Sequence, residues 1–328
     1  MKKSSVTVMV ISVILVLAFS FTTAGAVVKA PDAGVDAEMP VPTYPVSAFI
    51  TKKLPIYKFT IDPAALKYEV QVFTKDTHIL IESIKGKECT TYCSLKSTIP
   101  LKTFVRGKQQ GYYTWKVRPK YANGWSPTWS DEVEFVVLAT GFTSNFDASD
   151  PRWSPVYGAW TVNSSGYYKT LGHVDMMSST IEKHLLAGQG MVYKVRLKRK
   201  VEGASPNVLY FLGEPEYMDP YKEWTNGYRL EFTYGRYSLS MRKNTGNSHL
   251  GDGYFNNPYS GWVELTIWRW GSEISFWVNG EYIDTFTDST FTIGYVGIGM
   301  VEVDPDISPL LVDWAKVYYS AYPPYAKY

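Results

Sequence analysis

Glu302 and Asp304, in the run Glu302-Val-Asp304-Pro-Asp306-Ile, are the carboxylates whose spacing comes nearest to an active site. Residues two apart on a strand share a face. Retaining glycoside hydrolysis needs two carboxyl groups about 5 Å apart, one as nucleophile and one as acid. Pro305 follows at once and removes a ladder donor, so the segment reads as a turn before the last strand rather than a catalytic strand. His173, His184 and His249 are dispersed and read as surface or loop histidines, not as a metal site. The chain has no Gly-x-Ser-x-Gly elbow, no Cys–His nucleophile pair and no phosphate loop. No catalytic residue is assigned, and the metal question stays open. A net charge of +2 gives no global reason to expect a nucleic-acid partner.

Aromatic side chains supply the stronger signal. All 11 tryptophans lie at or beyond Trp115. Gly271-Ser272 joins Trp262–Trp270 to Glu273–Val278 in a hairpin. A two-residue turn sets Trp270 opposite Glu273, Arg269 opposite Ile274, Trp268 opposite Ser275, Ile267 opposite Phe276 and Thr266 opposite Trp277. Leu265, Ile267, Phe276 and Val278 then form the core face, and Trp268, Trp270 and Trp277 point the other way. So much apolar area outside a core needs a reason. Indole faces that pack on the C–H faces of pyranose rings are one, with Arg229, Glu231 and Glu264 bonding hydroxyls if their strands are neighbours. A covering domain or crossing loop is the other, and the pattern does not choose between them.

A second candidate is the loop from Glu214 to Asn226, which gathers Tyr221, Trp224 and Asn226 with acidic side chains; Tyr254 to Tyr259 is similar. Either could also be packing over a sandwich edge. Lys194-Val-Arg196-Leu-Lys198-Arg-Lys200 alternates charges outward, as a solvated edge strand does or as a strand meeting an acidic polysaccharide does.

The elements that must position these residues read as follows. Residues 1–26 combine a basic start, an apolar run from Val8 to Phe21 and a small-residue site at Ala24-Gly-Ala26, the pattern of a cleaved signal peptide. Residues 27–45 are proline-rich and read as an extended linker. Cys89 and Cys93, in an exported chain, are expected to form a disulfide that closes a small loop. From about Val46 to residue 139, short strands alternate with period two: Tyr68, Val70 and Val72 share one face, and Trp115 and Val117 share another.

Ile56-Tyr-Lys-Phe59, Tyr68-Glu-Val-Gln-Val72, Gly111-Tyr-Tyr-Thr-Trp115-Lys-Val-Arg118 and Trp125-Ser-Pro-Thr-Trp129-Ser130 resemble the bacterial fibronectin type III family over roughly ninety residues. The resemblance implies an immunoglobulin-like sandwich that spaces or orients its neighbour. The Thr74–Lys108 region departs from that pattern. Trp115, Arg118, Trp125 and Trp129 read as structure, a guanidinium stacked between indoles.

From residue 140 to 328 the strands lengthen. Asn279-Gly280 and Gly235-Arg236 mark further tight turns, and no useful amphipathic helix appears. Phe142–Phe146, Trp153, Trp160, Tyr167, Asn226-Gly-Tyr228, Trp262–Ile267, Val278-Asn-Gly280, Asp288–Gly297 and Leu311–Val317 resemble, in order, the concanavalin A-like lectin/glucanase superfamily, in its laminin-G-like and family-16-like forms. The resemblance implies a jelly roll. Its glycosidases carry Glu-x-Asp-x-x-Glu on one strand, and here Ile307 occupies the place of the third carboxylate. Asn145 and Asp313 stand where related domains carry calcium ligands, but an amide at the first position lowers ligand charge. No cofactor is expected; calcium is considered and not predicted.

The expected architecture is therefore all-β: two β-sandwiches, an immunoglobulin-like fibronectin type III module and a larger jelly roll. The expected function is a secreted, non-catalytic carbohydrate-binding or cell-surface adhesion protein with a polysaccharide or glycan partner, no nucleic acid and no transmembrane segment after signal removal. The alternatives are a glycoside hydrolase-like enzyme and an envelope or matrix protein that binds protein partners.

Overall fold

The computed structural model describes residues 39–86, 89, 92–108, 110–166, 168–170, 177–199, 207–233, 235–244, 246–255, 261–301 and 309–325. The signal-peptide segment, most of the expected linker, His173, the Glu302-Val-Asp304-Pro-Asp306 run and Asn256–Tyr259 lie outside them. Every regular element among the described residues is a strand, and none is a helix long and apolar enough to cross a membrane.

The first sandwich packs a three-stranded sheet (Pro42–Tyr44, Ile56–Phe59, Cys93–Lys96) on a six-stranded one whose centre is Tyr112–Tyr121, flanked by Lys67–Thr74 and Val133–Val137. Its core is aromatic. Trp115, Tyr57, Phe59, Tyr68 and Phe135 are fully buried among Val70, Val72 and Val117, because period-two alternation delivers each of them to the inner face. Arg118 lies over Trp129 (4.4 Å) and Trp125 (5.4 Å) and is ion-paired with Glu69 at 2.6 Å. The stacked guanidinium is thus part of the scaffold.

The linker ends earlier than its composition suggests. Pro42–Tyr44 pairs with Ile56–Phe59, and the Trp115 indole N–H donates to the Pro45 carbonyl at 2.7 Å. Proline cannot donate to a ladder, but its carbonyl still accepts. The proline-rich stretch from residue 42 is therefore built into the first sandwich.

The second sandwich is a jelly roll of two eight-stranded sheets, each a row of seven with one strand beside it: Phe142–Ser144 on Leu310–Tyr319 in the back sheet and Leu186–Ala187 on Ile293–Val301 in the front. The back sheet runs Trp160–Val162, Tyr168–Thr170, Leu310–Tyr319, Met191–Arg199, Val263–Trp270, Glu273–Val278, Glu281–Thr287. The front sheet runs Trp153–Tyr157, Met177–Glu182, Ile293–Val301, Asn207–Met218, Trp224–Thr233, Arg236–Lys243, Gly246–Tyr254. Between them Leu209, Phe211, Leu230 and Ile298 of the front meet Tyr193, Val195, Leu265, Ile267, Phe276 and Val317 of the back. The turns match their sequences: Asn279 (φ 52°) and Gly280 (φ 83°) both take the left-handed conformation a type I′ hairpin requires. One turn is displaced. Thr233 pairs with Arg236, so the bend falls one residue before Gly235-Arg236.

The two sandwiches are joined by backbone as well as side chains, within the compact unit Glu38–Tyr328. Arg106 N donates to Lys183 O at 2.7 Å, and Ala139 N to Leu185 O at 3.0 Å. Val136 and Leu138 of the first sandwich share an apolar cluster with Met177, Ile181, Val208, Tyr210 and Trp224 of the front sheet. The first sandwich thereby covers one end of the outward face of the front sheet. Burial of this kind stabilises by about 25 cal/mol per Å² of apolar surface.

Candidate functional site

The hairpin has the register expected from its turn: Trp270↔Glu273, Arg269↔Ile274, Trp268↔Ser275, Ile267↔Phe276, Thr266↔Trp277. Leu265, Ile267, Phe276 and Val278 face the core, and the three tryptophans occupy the opposite face. Two of the three are nonetheless covered. Trp268 and Trp277 are 6% and 5% exposed, packed with Val192 and Tyr325, while Trp270 is 40% exposed and stacks on Trp268 at 6.3 Å. The cover is the segment after the last strand. Ser320 O accepts from the Trp268 indole at 3.2 Å, and the Tyr325 ring lies 6.0 Å from that of Trp277.

The polar groups expected to serve these indoles are divided between two sheets. Glu264 is beside them, accepting from Lys194 at 3.0 Å and from the Tyr325 hydroxyl. Arg229 and Glu231 stand on the front sheet, across the core. Outward orientation was legible from alternation, but which sheet a strand joins is a long-range choice that alternation does not encode.

Arg229, Trp224, Tyr221 and Asn226 lie instead on one hairpin of the front sheet. Gly297 and Gly299 leave its outward surface without side chains in the middle of Ile293–Val301. A Cβ on Gly297 would stand 2.5 Å from the Trp224 ring, and one on Gly299 3.1 Å from the Tyr210 ring. Over this floor Tyr210 and Trp224 stack at 4.3 Å with an 11° interplanar angle, and the Trp224 N–H donates to Ser179 Oγ at 3.1 Å. Trp224 is therefore 1% exposed, a bed rather than an open platform. The expected loop is a hairpin. Asn207–Met218 and Trp224–Thr233 are strands joined by a turn in which Asp219 Oδ1 accepts from Glu223 N at 3.0 Å. Gly227 (φ 124°) permits the crossing, since its Cβ would stand 2.4 Å from the Gly213 Cα.

Above the rings sits a charge network. Arg229 contacts Glu223 at 2.9 Å and Glu231 at 3.0 Å; Arg242 contacts Asp219 at 2.9 Å and also Glu223. Burial opposes the Arg229 charge, but Tyr210, Glu223, Glu231 and Asp219 outweigh it, so its pKa lies above the ordinary arginine value. Burial holds the Tyr210 hydroxyl well above its own ordinary value. Both guanidinium Nε atoms, of Arg229 and Arg242, are buried without a hydrogen-bond partner among the described residues. A buried donor left unpaired costs about 1–3 kcal/mol, which makes such groups the natural place for an ordered water. Tyr221 stands at the rim, 66% exposed. Asn226 donates to Glu214 at 3.3 Å and accepts from Asn244 N at 2.8 Å.

Arg242 and Tyr210 are the members that sequence reasoning missed; Asp219 and Glu223 were among the acidic side chains of the candidate loop, without assigned partners. The signal was present: Tyr210 opposes Arg229 across one strand pair and Gly227 opposes Arg242 across the next. Reading it required knowing that these three strands are neighbours.

The remaining candidates resolve into structure. The basic strand is central rather than at an edge, pairing with Val263–Trp270 and Leu310–Tyr319. Its charges are used locally: Arg196 is paired with Asp313 at 2.6 Å and lies over Trp262 at 5.2 Å. Asp313, weighed as a calcium ligand, is thus held by a guanidinium. No cluster of three or more His, Cys, Asp or Glu suited to a metal occurs among the described residues. His184 is bonded to buried Glu182 at 2.5 Å, and exposed His249 to Asp252 at 2.7 Å. Tyr254 is exposed and accepts from Arg236 at 2.6 Å. Cys89 and Cys93 are joined in a disulfide with Cα atoms 5.2 Å apart.

No protein-family model matches the sequence, and no curated protein matches it. Solved structures are similar to it in part. A carbohydrate binding module, CBM66 from Bacillus subtilis, is 16% identical, with a TM-score of 0.40 over 52% of this chain and 96% of that one. A β-glucanase from Bacillus licheniformis is 12% identical, with a TM-score of 0.43 over 56% of this chain and 99% of that one. A Bacillus subtilis protein of unknown function with a galectin-like fold is 13% identical, with a TM-score of 0.42 over 56% and 97%.

Proposed function

We propose that this is an exported, non-catalytic glycan-binding or cell-surface adhesion protein that binds sugar on the outward face of the front sheet. The observation that carries the reading is the network of Arg229 and Arg242 with Asp219, Glu223 and Glu231 on that face, beside stacked Tyr210 and Trp224. Sugar hydroxyls both donate and accept, so a surface that alternates guanidinium and carboxylate suits them. Tyr221 adds an exposed ring at the rim for a C–H face. Asp219, Glu223 and Glu231 are each committed to an arginine, whereas hydrolysis needs one carboxyl group free to hold a proton and a second about 5 Å away. The fibronectin type III-like assignment of the first sandwich belongs to the same reading, with that module orienting the jelly roll at the cell surface.

A glycan array tests it. Tyr221→Ala and Arg229→Met are expected to weaken the best neutral ligand by roughly tenfold or more, about 1.4 kcal/mol. Tyr221 is exposed, so its variant keeps the fold. Binding that is indifferent to both substitutions, or no binding to any sugar, would overturn the proposal.

A further inference from the structure

Where the two sandwiches meet, the segment Leu101–Lys108 runs beside Lys183–Leu186, pinned by Arg106 N to Lys183 O (2.7 Å) and by the bridge between Val105 and His184. The seam opens into a cleft of about 470 Å³, within the range of small-ligand sites. Its charge is of one sign: Lys53, Lys102, Lys108, Lys183, Arg152 and His184 line it, and no aspartate or glutamate does among the described residues. Arg152 is held by Asp150 at 2.7 Å and His184 by Glu182 at 2.5 Å. The four lysines have no carboxylate partner among the described residues.

Four lysines lining one concavity give it a field of one sign, which attracts an anion that enters. We infer that this cleft is a second binding site, for an anionic saccharide whose repeating units each carry a single carboxylate or sulfate. Lysine is a point charge on a flexible stem and imposes no fixed approach geometry, which suits single charges spaced along a chain. Thr103 and Gln110 supply neutral groups for hydroxyls. The described lining contains no Phe, Tyr or Trp, and single-stranded nucleic acid would call for such stacking rings. The saccharide class rests on the glycan-binding reading above, but the cleft shares no residue with the arginine face.

The test measures binding of the full chain to polygalacturonate, dextran sulfate and neutral dextran. Lys102→Ser with Lys183→Ser is expected to weaken the charged polymers roughly tenfold, and raising salt to weaken them further. Lys58→Ser with Lys96→Ser, exposed on the three-stranded sheet and away from the cleft lining, is expected to leave them unchanged. Binding of either charged polymer with this pattern supports the site and tells carboxylate from sulfate. Binding of neither, or equal loss in the Lys58/Lys96 variant, would overturn it. Array binding of a neutral sugar without polyanion binding removes the cleft alone; the reverse removes the arginine face alone.

Discussion

Tyr325 lies against Trp277 with ring centroids 6.0 Å apart, and its hydroxyl sits between the Lys194 ammonium and the Glu264 carboxylate. The Lys194 Nζ is also 4.1 Å from the centre of that ring. A face that strand alternation marks as outside the core is thus closed by one side chain from the segment beyond the last strand.

Tyr325→Ala is expected to uncover Trp277 and part of Trp268. Tryptophan emission moves to longer wavelength, and quenching by acrylamide rises. Lys194 and Glu264 keep their own contact at 3.0 Å, so the loss is about 1 kcal/mol of ring packing, lowering the melting midpoint by roughly 2–4 °C. Unchanged quenching would mean that the segment does not seat on the indoles in solution.

Gly297→Ala is expected to disturb the arginine face from below. The added carbon meets the Trp224 ring at 2.5 Å and Thr180 O at 2.7 Å, and neither is the free end of a flexible chain. Overpacking of this kind costs about 1–3 kcal/mol. Denaturant unfolding gives the cost, and near-ultraviolet circular dichroism reports the Trp224 displacement. A neutral result would show that the stacked rings can shift freely.

Acid should weaken the first sandwich through Glu69. Burial raises its pKa, but hydrogen bonds from Ser83 and Arg118 together with the Arg118 charge outweigh burial, so the folded value lies below the ordinary 4.5. A depressed folded pKa gives stability that is present above the unfolded value and lost as pH falls through the folded one. Arg118→Met should cost roughly 3 kcal/mol at neutral pH, because it strands a buried carboxylate. The difference from the parent should shrink below pH 4.5, where the variant's Glu69 is protonated. A cost independent of pH would assign the effect of Arg118 to packing on Trp125 and Trp129.

The hairpin Trp262–Val278 was readable to the residue, because a two-residue turn sets the register and the register sets the faces. The arginine face was readable only in part. Arg229, Trp224, Tyr221, Asn226 and the acidic side chains of their loop stood out by type, yet Arg242 and Tyr210 join them across strand pairs whose adjacency no local pattern states. The proline-rich segment misled because composition reports missing donors and says nothing of carbonyls such as that of Pro45, which accept from the far side of a core.

Alternation and turn chemistry determined that this chain is all-β, where its hairpin turns fall to within one residue and which side of the hairpin Trp268, Trp270 and Trp277 take, since these depend on neighbours within a few residues. Only the tertiary structure decided that Arg229 and Glu231 belong to the opposite sheet from Glu264, that the basic strand is central, that Tyr325 closes the indole face, and that four lysines converge at the seam between the sandwiches. Those outcomes depend on contacts between residues far apart in the chain.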